Sequence, residues 1–195
     1  MPAETMERIH GGDWAGYQTK YGRDPLDFSA NISPLGLPEG VRRAAEEALK
    51  KADRYPDPLC RELRAALAEY HGVPTEQIVC GNGASDLIDR ICRVLRPANA
   101  AVLTPCFTEY AAALQAENCH VTEIPLPQAE NFRPDEATLR AIPQNCELLF
   151  LCNPNNPTGL PVKEHILQKL LVRCRETGMH LVRSEERRVG KECRS

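Results

Sequence analysis

From Gln77 onward, short apolar runs alternate with amphipathic stretches, and this alternation restricts the chain more than any other feature. Short apolar segments separated by helical patterns are the mark of βα units, which place strands side by side in a parallel sheet. The expected strands are Ile78 to Gly81, Ala101 to Thr104, Val121 to Pro125, Leu148 to Cys152 and His180 to Val182. Helices are expected near Ser85 to Leu95, Glu109 to Glu117, Asp135 to Ala141 and Lys163 to Glu176. In the last of these Ile166, Leu167, Leu170, Leu171 and Cys174 form one apolar face.

Ahead of the alternating region, helices are expected over about Glu39 to Lys51 and Leu59 to His71. The prolines of Tyr55-Pro56-Asp57-Pro58 break the helix between them. Residues 1–35 read as an irregular arm, and residues 36–182 as one α/β body with its leading helices. Residues 183–195, RSEERRVGKECRS, are charged, lack a period, and match the translation of sequencing-adapter DNA. They are expected to be foreign to the protein and are set aside, as an expression scar would be.

A formal net charge of -3 gathers no phosphate backbone or anionic membrane, which points to small solutes as partners. With neither a membrane-length apolar run nor a signal-like N-terminus, the expected location is the cytoplasm. The nine cysteines form no C-x-x-C pair, and most sit in apolar runs as small hydrophobes, so no metal is expected.

Three stretches carry candidate chemistry, each following an expected strand. Gly81-Asn82-Gly83-Ala84-Ser85-Asp86 opens a helix, whose free first-turn amides and dipole favour an anion. Pro105-Cys106-Phe107 puts an aromatic ring at a strand's carboxyl end, and Asn153-Pro154-Asn155-Asn156-Pro157-Thr158-Gly159 puts amides there. Ligands of open α/β sheets bind at that edge.

Together these strings resemble the fold-type-I pyridoxal-phosphate enzymes. The resemblance implies the N-terminal part of the aspartate-aminotransferase fold, a mostly parallel sheet flanked by helices. It implies that the backbone at Gly83, Ala84 and Ser85, with the Ser85 hydroxyl, cradles the cofactor phosphate. Phe107 would stack on the pyridine ring and Asn156 would bind its phenolic oxygen. Tyr55 would reach the phosphate of a second subunit, which implies a homodimer.

The arm narrows the resemblance. His10-Gly11-Gly12-Asp13 and Asp27-Phe28-Ser29-Ala30-Asn31-Ile32-Ser33-Pro34-Leu35-Gly36 are similar to strings of the threonine-phosphate decarboxylases of the cobalamin pathway, with Asp13 and Ser33 in place of asparagines. That family implies substrate contacts at His10 and Asn31 and a phosphorylated amino-acid substrate. The alternatives are a histidinol-phosphate aminotransferase and, in another class, a non-catalytic phosphate- or nucleotide-binding α/β module. The dinucleotide fingerprint fails, since Asp86 stands where G-x-G-x-x-G needs its third glycine. The resemblance places the cofactor-holding lysine and the aspartate that pairs with the pyridinium nitrogen beyond Val182. Lys191 matches no motif, and the chain as written is expected to be inactive.

Overall fold

The computed structural model describes residues 11–30, 32–33 and 35–184. The chain divides into two compact units, one running to Arg61 and the other from Glu62 onward.

The first unit holds two helices, α1 (Trp14–Tyr21) and α2 (Glu39–Leu49). Helix α1 corrects the expectation of a wholly irregular arm. It is specified by its ends rather than by an apolar stripe: the Asp13 carboxylate accepts the Gly16 amide at 2.9 Å, and Gly22 closes the helix in the left-handed conformation. Helix α2 starts after Pro38 and carries Arg42 between Glu39 and Glu46, with none of its residues buried.

The second unit continues α3 (Arg61–His71) through a 3-10 turn at Thr75–Gln77 into α4 (Gly83–Leu95). Then follow β1 (Asn99–Thr104), α5 (Glu109–Ala116), β2 (His120–Pro125), α6 (Glu136–Ala141), β3 (Leu148–Cys152), α7 (Glu164–Thr177) and β4 (His180–Ser184). The strands form one sheet in the order β2-β1-β3-β4, every pair parallel.

All five residues of β3 are buried, because helices cover both faces of the sheet. The pleat sends Leu148, Phe150 and Cys152 to one core with Val102, Tyr110, Leu114 and Cys92. Leu149 and Leu151 go to the other, with Ala101, Leu103, Ile124, Ile166 and Leu170. Helices α4 and α5 supply the first core, and α6 and α7 border the second. Arg173 of α7 fastens the second layer by donating to the carbonyl oxygens of Leu139 at 2.9 Å and of Ile142 and Pro143 at 2.8 Å.

Two differences from expectation concern residues 78–81 and strand β4. Residues 78–81 are extended but form no ladder among the described residues. The Ile78 carbonyl accepts from Arg64 at 3.0 Å and that of Cys80 from Arg90 at 3.4 Å, so guanidinium groups take the bonds a neighbouring strand would have taken. Strand β4 runs two residues past Val182, pairing Arg183 with Leu151 and Ser184 with Cys152. A ladder is made by the backbone and accepts most side chains, so this pairing does not bear on the origin of residues 183–195. No helix among the described residues is long and apolar enough to cross a membrane.

Candidate functional site

Helix α4 feeds β1 through residues 96–98, so its C-terminal end lies at the amino edge of the sheet. Its 13 residues span about 20 Å, much the same as a six-residue strand. The N-terminus of α4 is thereby carried to the carboxyl edge, where the loops after β1 and β3 also emerge. Ile88 and Cys92 of α4, Phe107 and Cys152 all belong to the same core cluster.

The first turn of α4 is open to an anion. Asn82 makes no side-chain cap, and Gly83, Ala84 and Ser85 are exposed with their amides in the first turn, where no intrahelical acceptor exists. Gly83 has φ 83, a conformation that disfavours any other residue, and a Cβ there would meet nothing within 4 Å. The amide of Asn82 is committed to the Asp86 carboxylate at 2.8 Å, which holds that carboxyl below its usual range; Arg90, at 2.8 Å, balances its charge.

The loop after β3 divides its three asparagines between two tasks. Asn153 is buried and its Oδ1 accepts the Val162 amide at 2.8 Å, closing the loop. Asn155 is buried and its Nδ2 donates to the Pro105 carbonyl at 3.0 Å and to Thr158 Oγ1 at 3.2 Å, tying this loop to the one after β1. Asn156 is half-buried, and its backbone amide donates to Cys152 Sγ at 3.2 Å. The peptide bonds before Pro105, Pro154 and Pro157 are cis.

Phe107 is also half-buried and meets Tyr110 edge-on, with centroids 5.6 Å apart and planes at 79°. Tyr110 is fully buried, stacks on Phe150 at 4.8 Å, and its hydroxyl is hydrogen-bonded to Ser184 Oγ. The Phe107 ring thus rests on a fixed aromatic support. Burial pushes the neighbouring Cys106 thiol up to about 12, so it stays protonated and is no nucleophile near neutral pH.

The structure therefore gathers Gly83, Ala84, Ser85, Phe107 and Asn156 around one edge of one sheet. Tyr55 lies in the first unit with its side chain fully exposed. His10 and Asn31 lie outside the described residues. Sequence reasoning missed Asn153, Asn155 and Tyr110. Tyr110 had a signal, since it follows Phe107 by three residues at a helix start; the two asparagines had none beyond their place in the loop.

Comparison with known proteins gives the following. The family profile "Aminotransferase class I and II" matches residues 23–185. The threonine-phosphate decarboxylase of Salmonella typhimurium is 39% identical over 179 residues, covering 90% of this chain and 49% of that protein. The histidinol-phosphate aminotransferase of Halalkalibacterium halodurans is 32% identical over 153 residues, covering 77% of this chain and 41% of that protein. The crystal structure of histidinol-phosphate aminotransferase from Sinorhizobium meliloti in complex with pyridoxal-5'-phosphate is similar in fold, with TM-score 0.78, 24% identity, and coverage of 91% of this chain and 49% of that one. The chain spans about half the length of these relatives or less.

Proposed function

The chain belongs to the class I and II aminotransferase family, and from that premise we propose that it is the cofactor-cradling half of a pyridoxal-phosphate enzyme that decarboxylates L-threonine O-3-phosphate. The observation that carries the cofactor assignment is the donor set at the carboxyl edge. An uncapped helix N-terminus, a supported half-buried ring and the half-buried Asn156 in the loop after β3 suit a phosphate, a flat aromatic ring and a phenolic oxygen respectively. The choice of substrate rests on the arm strings around Gly12 and Ser29 and on the identity to the Salmonella decarboxylase.

In this reading the amides of Gly83, Ala84 and Ser85 bind the cofactor phosphate with the helix dipole behind them. The Asn156 side chain donates to the ring oxygen, and Phe107 covers one face, fixing the plane and excluding water. When bound, the cofactor would supply an electron sink for the pair left as carbon dioxide departs, and uptake of a proton at that carbon would give aminopropanol phosphate, a corrinoid side-chain precursor. His10 and Asn31 would meet the substrate, and Tyr55 would serve the phosphate of a second subunit in a homodimer. By the family resemblance, the cofactor-holding lysine would lie outside residues 1–182.

Equilibrium dialysis of this chain with pyridoxal phosphate, and with pyridoxal as the control, tests the cradle. The phosphorylated form is expected to bind more tightly, by a margin that Ser85→Ala reduces, while Asn156→Ala weakens both forms alike; equal binding of the two by the unsubstituted chain overturns the reading. Borohydride treatment is expected to leave no single lysine labelled. Sequencing the locus past the Val182 codon tests the origin of residues 183–195, and a stop directly after Ser195 overturns the adapter assignment. The gene so completed is expected to release carbon dioxide from threonine phosphate. Amino transfer from histidinol phosphate instead would favour the aminotransferase.

A further inference from the structure

The two arm strings contain residues that the site does not use, and in the structure those residues meet one another. The Asp27 carboxylate is their hub. Its Oδ1 accepts from the Ser29 amide at 2.7 Å and the Ser29 hydroxyl at 2.6 Å, and its Oδ2 accepts from the Trp14 indole N–H at 2.8 Å. The Ser29 oxygen in turn accepts the Gly12 amide at 2.9 Å.

Two segments separated by 13 to 17 residues are joined this way. The backbones touch so closely that a Cβ on Gly11 would lie 2.0 Å from the Ser29 carbonyl oxygen, so only glycine fits there. Between them lies a groove of about 700 Å³ bordered by Trp14, Tyr17, Leu26 and Phe28.

We propose that Asp27 is the positioning residue of the arm: through Trp14, Ser29 and Gly12 it clamps the segment 11–14 to the segment 27–30 before any ligand arrives, so that the arm meets a phosphorylated substrate as one preformed wall. The substrate half of this statement rests on the function proposed above. The clamp itself rests on the bonds alone. Hydrogen bonding by the Ser29 side chain first, then by the Ser29 amide and the Trp14 indole, holds the Asp27 carboxyl down at about 2, so the hub is a carboxylate at any working pH. Asp13, the other acid on the groove, caps α1 through the Gly16 amide. The motif residues between the proposed substrate contacts thus have a task of their own, and the glycine beside Gly12 is explained by contact rather than by flexibility.

Trp14 is the sole tryptophan of the chain, which gives the clamp one indole resonance. In the nitrogen-15-labelled 195-residue chain the Trp14 indole proton is expected to be protected from exchange without ligand. It should lose that protection in Asp27→Leu and keep it in part in Asp27→Asn, whose amide oxygen still accepts. Unchanged resonances from the sheet residues show that each variant is folded.

L-threonine O-phosphate, with inorganic phosphate as the control, is then titrated against each variant. Wild type is expected to shift the Trp14 resonance, and Asp27→Leu to bind about tenfold more weakly, with Ser29→Ala between them. An indole that exchanges freely in the wild type overturns the clamp whatever the substrate. A protected indole with equal binding by all variants overturns the positioning role. A protected, Asp27-dependent indole with no threonine-phosphate binding by the wild type overturns the substrate reading and the positioning role with it, leaving only the clamp.

Discussion

In the sheet unit Leu148, Leu149 and Phe150 have at most 1% of their surface exposed, whereas in the arm Trp14 keeps 45% and Phe28 89%. No described residue of the first unit belongs to either apolar core, and its order near Gly12 and Ser29 comes from hydrogen bonds in contact with water. Such bonds are directional but add little net free energy, while burial is unspecific and large. The sheet is therefore held by burial, and the order of the arm depends on a few directional bonds, each of which a single substitution can remove.

Substitutions can break this comparison, beginning with the largest expected effect. Phe150→Ala removes the ring on which Tyr110 stacks and is expected to cost about 3–5 kcal/mol in denaturant unfolding followed by circular dichroism. Protection of the Trp14 indole without denaturant should be unchanged in that variant; its loss would mean the units are not independent. Arg173→Met deprives three carbonyls of a charged donor and is expected to cost about 3 kcal/mol by the same measurement. Asn155→Ala leaves the Pro105 carbonyl without its partner, at about 2 kcal/mol, and is expected to weaken pyridoxal phosphate binding as well, because both loops slacken.

Gly11→Ala should do the opposite of these three. It opens the clamp, seen as fast indole exchange, with a change of less than about 0.5 kcal/mol in sheet unfolding. Acid sharpens the contrast further. The Asp27 carboxyl is depressed in the folded arm, so its contribution is complete above the ordinary value of 3.8 and lost as the pH falls through about 2. Indole protection is expected to disappear over that window, whatever the sheet does.

The sheet was legible in the sequence because both its faces are covered. Strands such as Leu148–Cys152 had to be continuous apolar runs, and α7 had to show one apolar face. Residues 78–81 looked the same as those strands, but Arg64 and Arg90 serve their carbonyls, and a side chain arriving from 10 or 14 residues away leaves no local mark. Helix α1 went unread because its information sits in Asp13 and Gly22, not in a stripe.

Phe107, Asn156 and the Gly83–Ser85 turn each follow an apolar run, and topology carries such positions to one edge. Which asparagine of Asn153, Asn155 and Asn156 turns inward depends on carbonyl and amide groups at Pro105 and Val162, which the string itself does not contain. The arm clamp was hidden for the same reason: its halves are motif residues whose partners lie in the other motif.

The bond from Asn155 to the Pro105 carbonyl has a consequence for how such a site can be inherited. The loop bearing Phe107 and the loop bearing Asn156 lie some 50 positions apart in the gene but share one amide, so neither can be lengthened, shortened or grafted alone without orphaning a polar group in the interior. Recombination that cuts between them must bring together two loops already fitted to each other. An engineer moving the NPNNPTG stretch into a new sheet would have to transplant its distant companion as well.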